Sequence, residues 1–318
     1  MERSFQIDSD VTMDSVAGDK FVVRWNPDDS HIAAACSDGT VKIYSSSSGA
    51  FIRSLNCRQH ADPVAVTSVR WRPGHGKNIL LATSADGGVT HWHATTGKVL
   101  NITRLEENQV LSVDYSADGR LYAIGCMDST VRVYDESTKS LVGELLPGRG
   151  EHIGHNNRIF SIKWLSEFSL VSGGWDNNVL VWDIRVKDVI RHLYGPRVYG
   201  DSVDASSGKL LTGSCHTQEQ LQVWNASDCS NIYSRDLIEE GLSCMVYTAQ
   251  FSKADNGQFI AIGGGGNNKA YFFESESGNL ISEHSVSQKA VYSVDFANHS
   301  NRVAIASGDG TVKIVEIN

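Results

Sequence analysis

Proline is scarce in this chain, five residues in 318, and no stretch places apolar residues at helical spacing. Helical bundles and coiled coils need that 3.6-residue period, and Pro-rich linkers would mark domain joints, so neither is expected. No run of lysine or arginine occurs, and 28 basic residues stand against 37 acidic ones for a net charge of -9. A phosphate backbone or an anionic bilayer calls for a cationic track, so nucleic acid and membrane surfaces are excluded as expected partners. No apolar run reaches the roughly 18 residues of a membrane span, and the opening segment lacks the apolar stretch of a secretory signal. The expected location is the cytoplasm or the nucleus, where the three Asn-x-Ser/Thr strings beginning at Asn101, Asn225 and Asn298 carry no meaning. The six cysteines, Cys36, Cys57, Cys126, Cys215, Cys229 and Cys244, form no Cys-x-x-Cys pair. That argues for free thiols and against a zinc site.

What the chain has is repetition. One five-residue phrase returns seven times, as Phe21-Val-Val-Arg-Trp25, Thr67-Ser-Val-Arg-Trp71, Leu111-Ser-Val-Asp-Tyr115, Phe160-Ser-Ile-Lys-Trp164, Asp201-Ser-Val-Asp-Ala205, Tyr247-Thr-Ala-Gln-Phe251 and Tyr292-Ser-Val-Asp-Phe296. Successive copies start 41 to 49 residues apart, so a unit of about 45 residues fills residues 20 to 318. Inside each unit a second ruler holds: Asp38 precedes Tyr44 by six, as Asp86 does Trp92, Asp128 Tyr134, Asp176 Trp182 and Asp309 Val315. The same count back from Trp224 and Phe273 lands on Gln218 and Asn267, where the acid is replaced. Short β-rich runs flank each Asp turn, which reads as a hairpin. With the phrase before it and another run after it, each unit supplies four strands, A to D. The expectation is an all-β, seven-bladed β-propeller of four-stranded antiparallel blades, a single domain over residues 1–318.

Unit four carries Gly154-His155 before strand A, Ser172 in strand B, Asp176 in the turn and Trp182-Asp183 closing strand C. This set closely resembles the WD-repeat family, and the resemblance implies a structural hydrogen-bonded network of His155, Ser172, Asp176 and Trp182. Unit two keeps His60, Asp86 and Trp92 but has Ala82 in the serine slot. Unit seven ends after strand C, leaving its edge open. Ser4-Phe-Gln-Ile-Asp8 alternates in the strand manner and is expected to supply the missing outer strand, as WD-repeat proteins commonly do.

Catalytic readings fare poorly. His155, Ser172 and Asp176 belong to the structural network rather than to a hydrolase triad, and no oxyanion donors accompany them. Gly263-Gly-Gly-Gly-Asn-Asn268 is followed by Lys269-Ala270 and no helix, which excludes a phosphate loop and leaves a B-to-C turn. His91 and His93 flank Trp92 without a third ligand at a recognisable spacing, so no metal is expected. No catalytic residue and no cofactor is assigned. A non-catalytic protein-binding scaffold, a monomer within a larger complex, is the expected function. An enzyme built in the channel is the weaker alternative, its main acid being Asp201. A third reading rests on Trp182-Asp183-Ile184-Arg185, which resembles the string by which some WD-repeat proteins dock, as substrate receptors, onto the adaptor of cullin-type ubiquitin ligases through the arginine, here Arg185.

Topology places the binding face. In an antiparallel blade the B-to-C turn and the D-to-A loop lie on one side, where each strand A begins. The phrase-initial residues Phe21, Thr67, Leu111, Phe160, Asp201, Tyr247 and Tyr292 are therefore expected to ring the channel there. Aromatic rings around one carboxylate suit a cationic side chain, an arrangement that resembles the arginine pocket of histone-tail-reading WD-repeat proteins. Six tryptophans fill strand positions, whereas Trp175 stands in a B-to-C turn. It is expected to be a solvent-exposed anchor, with Met127, Arg158, Phe160, Tyr199 and Asp201 around it. The partner site is thus centred on blades three to five.

Overall fold

The computed structural model describes residues 11–13, 18–58, 62–74, 78–148, 150, 153–239 and 241–317. These residues contain strands and no helix, arranged as seven four-stranded antiparallel sheets that close into a β-propeller. Blade four is representative, with strands Ile159–Trp164, Ser169–Gly174, Asn178–Asp183 and Asp188–Tyr194 in the order A-B-C-D.

The recurrent turn acid has a local cause. Oδ1 of Asp38 accepts the amide of Thr40 at 3.0 Å, and Asp86, Asp128, Asp176 and Asp309 each take the amide two residues on, at 2.9–3.2 Å. Such Asx turns satisfy an amide that has no ladder partner. The residue after the acid sits at positive φ, as Gly39 (83°), Gly87 (85°), Ser129 (65°), Asn177 (59°) and Gly310 (84°), which explains the glycines of three of these turns.

The five-residue phrase is explained by contacts between blades rather than within them. At its second position, Ser293 Oγ accepts the amide of Val23, Ser161 Oγ that of Val203 and Thr248 Oγ1 that of Val294, each at 3.1 Å. At the fourth, Asp114 takes the amide of Trp164 (3.0 Å), Asp204 that of Phe251 (2.9 Å) and Asp295 that of Trp25 (2.7 Å). At the fifth, the indole N–H of Trp25, Trp71 and Trp164 donates to the backbone carbonyl of Asp295, Arg24 and Asp114. Every bond reaches the neighbouring blade. Seven apolar clusters complete the joints, one between each pair of adjacent blades. The core is therefore a set of seven interfaces, with large fully buried side chains such as Phe251, Phe272 and Leu80 contributing about 1.5–3 kcal/mol apiece.

Blade seven takes its outer strand from near the N-terminus, as expected. The strand is Val11–Met13, paired antiparallel with Val312–Glu316 in the register Val11↔Ile314 and Met13↔Val312. Ser4–Asp8 lies outside the described residues. Met13 is 1% exposed and joins Val23, Trp25, Tyr44, Val312 and Ile314 in the cluster between blades seven and one.

Candidate interaction face

The WD-type network of blade four is complete. His155 Nδ1 meets Asp176 Oδ2 at 2.8 Å, its Nε2 meets Ser172 Oγ at 2.8 Å, and the Trp182 indole donates to the same hydroxyl at 2.8 Å. Burial would raise the Asp176 pKa, but the bond to His155 and two backbone amides lower it below the ordinary aspartate value. All four groups are consumed by one another, so the set is a clamp rather than a triad. In blade five Thr212 takes the serine's part, accepting from Trp224 Nε1 at 2.9 Å. In blade two Ala82 offers no oxygen, and Trp92 Nε1 is buried without an acceptor, the weakly accepting Cys57 sulfur beside it. Asp86 instead serves its own turn through Ser84 and Gly88. His60 lies outside the described residues.

On the face of the B-to-C turns and D-to-A loops, the channel opens in a cavity of about 330 Å³. Its lining includes all seven phrase-initial residues, Phe21, Thr67, Leu111, Phe160, Asp201, Tyr247 and Tyr292, together with Tyr199. Six strands A carry a bulge at this first position, between Lys20 and Val22 in blade one for instance, which turns the side chain out of the ladder towards the axis. Two aromatic arcs result. Phe21 meets Tyr292 edge-on at 5.4 Å and Tyr292 meets Tyr247 at 5.6 Å; across the mouth Phe160 stacks on Trp175 at 5.0 Å and Trp175 meets Tyr199 at 5.0 Å. Gly200 lets the Tyr199 loop run against the Tyr247 carbonyl, which a Cβ would approach to 2.2 Å.

Two expectations need correction. Trp175 is half-buried rather than fully exposed, because Phe160 and Tyr199 hold its ring and Arg158 lies over its face at 5.1 Å. Met127 reaches this cluster through its sulfur, 3.7 Å from the Arg158 guanidinium. Asp201, in turn, is no free carboxylate. Arg70 donates to it at 2.6 Å, Ser161 at 3.1 Å, and Arg24 pairs with it as well. Both arginines occupy the fourth phrase position of blades one and two, so they project into the channel below the mouth. Burial, then repulsion from Arg70, lowers the Arg24 pKa to about 9, which leaves it charged at neutral pH. A partner's cation would have to displace these two.

Sequence reasoning missed Arg197, whose guanidinium lies over Tyr199 at 5.2 Å. Its spacing of two residues from Tyr199 in one extended loop was the available signal. Arg185, on the opposite face, closes on its own strand: Nε donates to Asp183 Oδ1 at 3.0 Å and the guanidinium lies over Phe168 at 4.8 Å. The arginine of the Trp-Asp-x-Arg string thus pairs with Asp183 while its side chain stays 62% exposed. His91 is buried against Glu136, Nε2 to Oε2 3.0 Å, and no group of three metal-ligating side chains occurs among the described residues. The six cysteines are free, four of them buried and Cys215 and Cys229 partly exposed. Of the glycine run, Gly263 to Gly265 continue strand B (Phe259–Gly265), and the turn begins at Gly266.

A closed ring of repeated four-stranded sheets with an aromatic axial mouth defines a repeat propeller. A model of the WD domain, G-beta repeat, matches residues 98–135, 149–183 and 277–316, and a model of the anaphase-promoting complex subunit 4 WD40 domain matches residues 5–73. The chain belongs to the WD-repeat family. It is similar to Cell division cycle 20.1, cofactor of APC complex, of Arabidopsis thaliana, with 26% identity over 229 residues covering 70% of this chain and 47% of that protein. The APC/C activator protein CDC20 of Saccharomyces cerevisiae shares 22% over 289 residues, 76% of this chain and 47% of that one. The Ribosome biogenesis protein WDR12 homolog of Drosophila virilis shares 20% over 295 residues, 89% and 69%. The chain thus spans about half the length of the first two.

Proposed function

We propose that the protein is a non-catalytic interaction platform, a monomer within a larger complex, that seats a peptide or partner domain on the face of the D-to-A loops and B-to-C turns. The observation that carries this is the aromatic mouth: Phe21, Tyr292 and Tyr247 on one side, Phe160, Trp175 and Tyr199 on the other, around an open 330 Å³ cavity. Aromatic side chains that leave a concave, partly desolvated surface are the usual anchors of protein interfaces. The polar residues that could serve catalysis, Asp201 and the His155 network, are already bonded internally. The relatives, named for roles in the APC complex and in ribosome biogenesis, support a scaffold role.

The test fills the mouth instead of emptying it. Leu111 lines the cavity and is half-buried. Leu111→Trp should leave the melting temperature near that of wild type and remove the principal partners from an affinity purification read by mass spectrometry. Retention of every partner by a folded Leu111→Trp protein would overturn the reading. A second reading, favoured by the APC-named relatives, is that the captured complex is the APC complex; its subunits should then appear in the wild-type purification, and their absence removes it. Loss of a ligase adaptor from the purification in Arg185→Ala would instead favour docking through the Trp-Asp-x-Arg string, whose arginine side chain is 62% exposed beside Asp183.

A further inference from the structure

Three donor groups lie at the blade-four and blade-five side of the mouth, and among the described residues none has an oxygen acceptor. The Trp175 indole nitrogen is shielded and unpartnered, and so is the Arg197 Nε. The Arg158 guanidinium has only the Met127 sulfur, a weak acceptor, at 3.7 Å. Arg158 and Arg197 stack on adjacent rings, Trp175 and Tyr199, whose centroids are 5.0 Å apart. Among the described residues neither arginine is ion-paired, whereas Arg24 and Arg70 pair with Asp201, Arg132 with Asp128 and Glu144, and Arg185 with Asp183; Arg235 over Tyr233 and Arg302 over Trp25 are likewise unpaired but lie away from the mouth. The nearest turn acids are spent, Asp176 on His155 and Asp128 on Arg132. In a protein of net charge -9, two unpaired arginines held flat on aromatic rings form a local cationic rim.

We infer that the partner segment is an acidic peptide: an apolar or aromatic side chain enters the mouth, and a glutamate or aspartate beside it lies over Arg158 and Arg197. The inference rests on the reading of this mouth as the partner site and reverses the charge that the bare sequence suggests. The stacked guanidiniums are oriented before binding, so little rotamer freedom is lost when a carboxylate meets their N–H edges. The Asp201 carboxylate does not oppose this, since Arg24 and Arg70 already neutralise it from below. A basic peptide would meet like charge on the rim and find its carboxylate taken.

Fluorescence anisotropy with labelled peptides tests it. The probes are a peptide with one leucine followed by a run of glutamates, its counterpart with lysines, and a counterpart with phosphoserines. Wild-type protein should bind the glutamate peptide at least about tenfold more tightly than the lysine peptide, and added salt should weaken that binding. The pair Arg158→Glu and Arg197→Glu should abolish the preference, while Arg158→Lys with Arg197→Lys, which keeps both charges, should retain most of it. Tighter binding of the lysine peptide overturns the inference, as does binding of the phosphoserine peptide alone. Loss of glutamate-peptide binding in Leu111→Trp with no effect of charge reversal leaves the mouth as the site and removes the acidic specificity. Binding that survives both changes removes the site itself.

Discussion

A single hydroxyl decides how well a blade is pinned. Ser172 accepts from the Trp182 indole and shares a hydrogen bond with His155 Nε2, so Ser172→Ala strands two buried polar groups. The expected cost is about 1–3 kcal/mol for each, visible as a lower urea midpoint with an unchanged slope. The reverse experiment exists naturally in blade two, where Ala82 leaves the Trp92 indole without an oxygen. Ala82→Ser should raise stability by about 1 kcal/mol, and a drop would mean that the pocket has no room for the hydroxyl. The Asp176 carboxylate adds a pH term. Its pKa is depressed in the fold, so its stabilisation is fully present above the unfolded carboxylate value of about 3.9 and is lost as pH falls through the lower folded value. Wild-type protein should consequently lose more stability between pH 7 and pH 3 than Asp176→Asn does; equal losses in urea melts at the two pH values would discard this assignment.

Among the strands of the blades, the outer strand of blade seven is the shortest and the most consequential. Val11–Met13 covers an edge of Val312–Glu316 that would otherwise offer unpaired backbone groups to any neighbour. Its anchor is Met13. Met13→Ala should cost about 2–5 kcal/mol, the usual range for a buried methionine. An unchanged melting curve would show that the strand does not hold the ring. The need for this strand was legible because unit seven stops after strand C; its position was not. Alternation in Ser4–Asp8 and in Val11–Met13 is equally strand-like, and only the register against Ile314 distinguishes them. The Asp turns were legible for the opposite reason, since an Asx turn is a local bond within three residues.

At the scale of the molecule, blade number, strand order and the ring of phrase-initial residues all follow from spacing, which is linear information. What spacing does not carry is the partner of a side chain across the channel. Asp201 reads as a lone acid in its own unit, yet Arg24 and Arg70, 177 and 131 positions earlier, are the residues that meet it. Likewise Trp175 reads as an exposed turn residue until Tyr199, from the next blade, covers it. The Asp201 carboxylate is thus neutralised by contacts between blades, the same class of contact that the repeated phrase exists to make.

The pairing of Val11 with Ile314 also sets an order of events. A ribosome delivers the first partner about 300 residues before the second, so throughout synthesis the growing protein is an open arc. At one end of that arc Val23, Trp25 and Tyr44, destined for the last interface, face water. Contacts of such sequence separation form slowly, and the arc presents both an apolar face and an unpaired strand edge while it waits. A chain stopped anywhere before Val312 has no means of finishing the circle by itself. Its exposed edge and apolar face can then be covered only by another copy, so incomplete synthesis is a condition under which this protein is prone to aggregate.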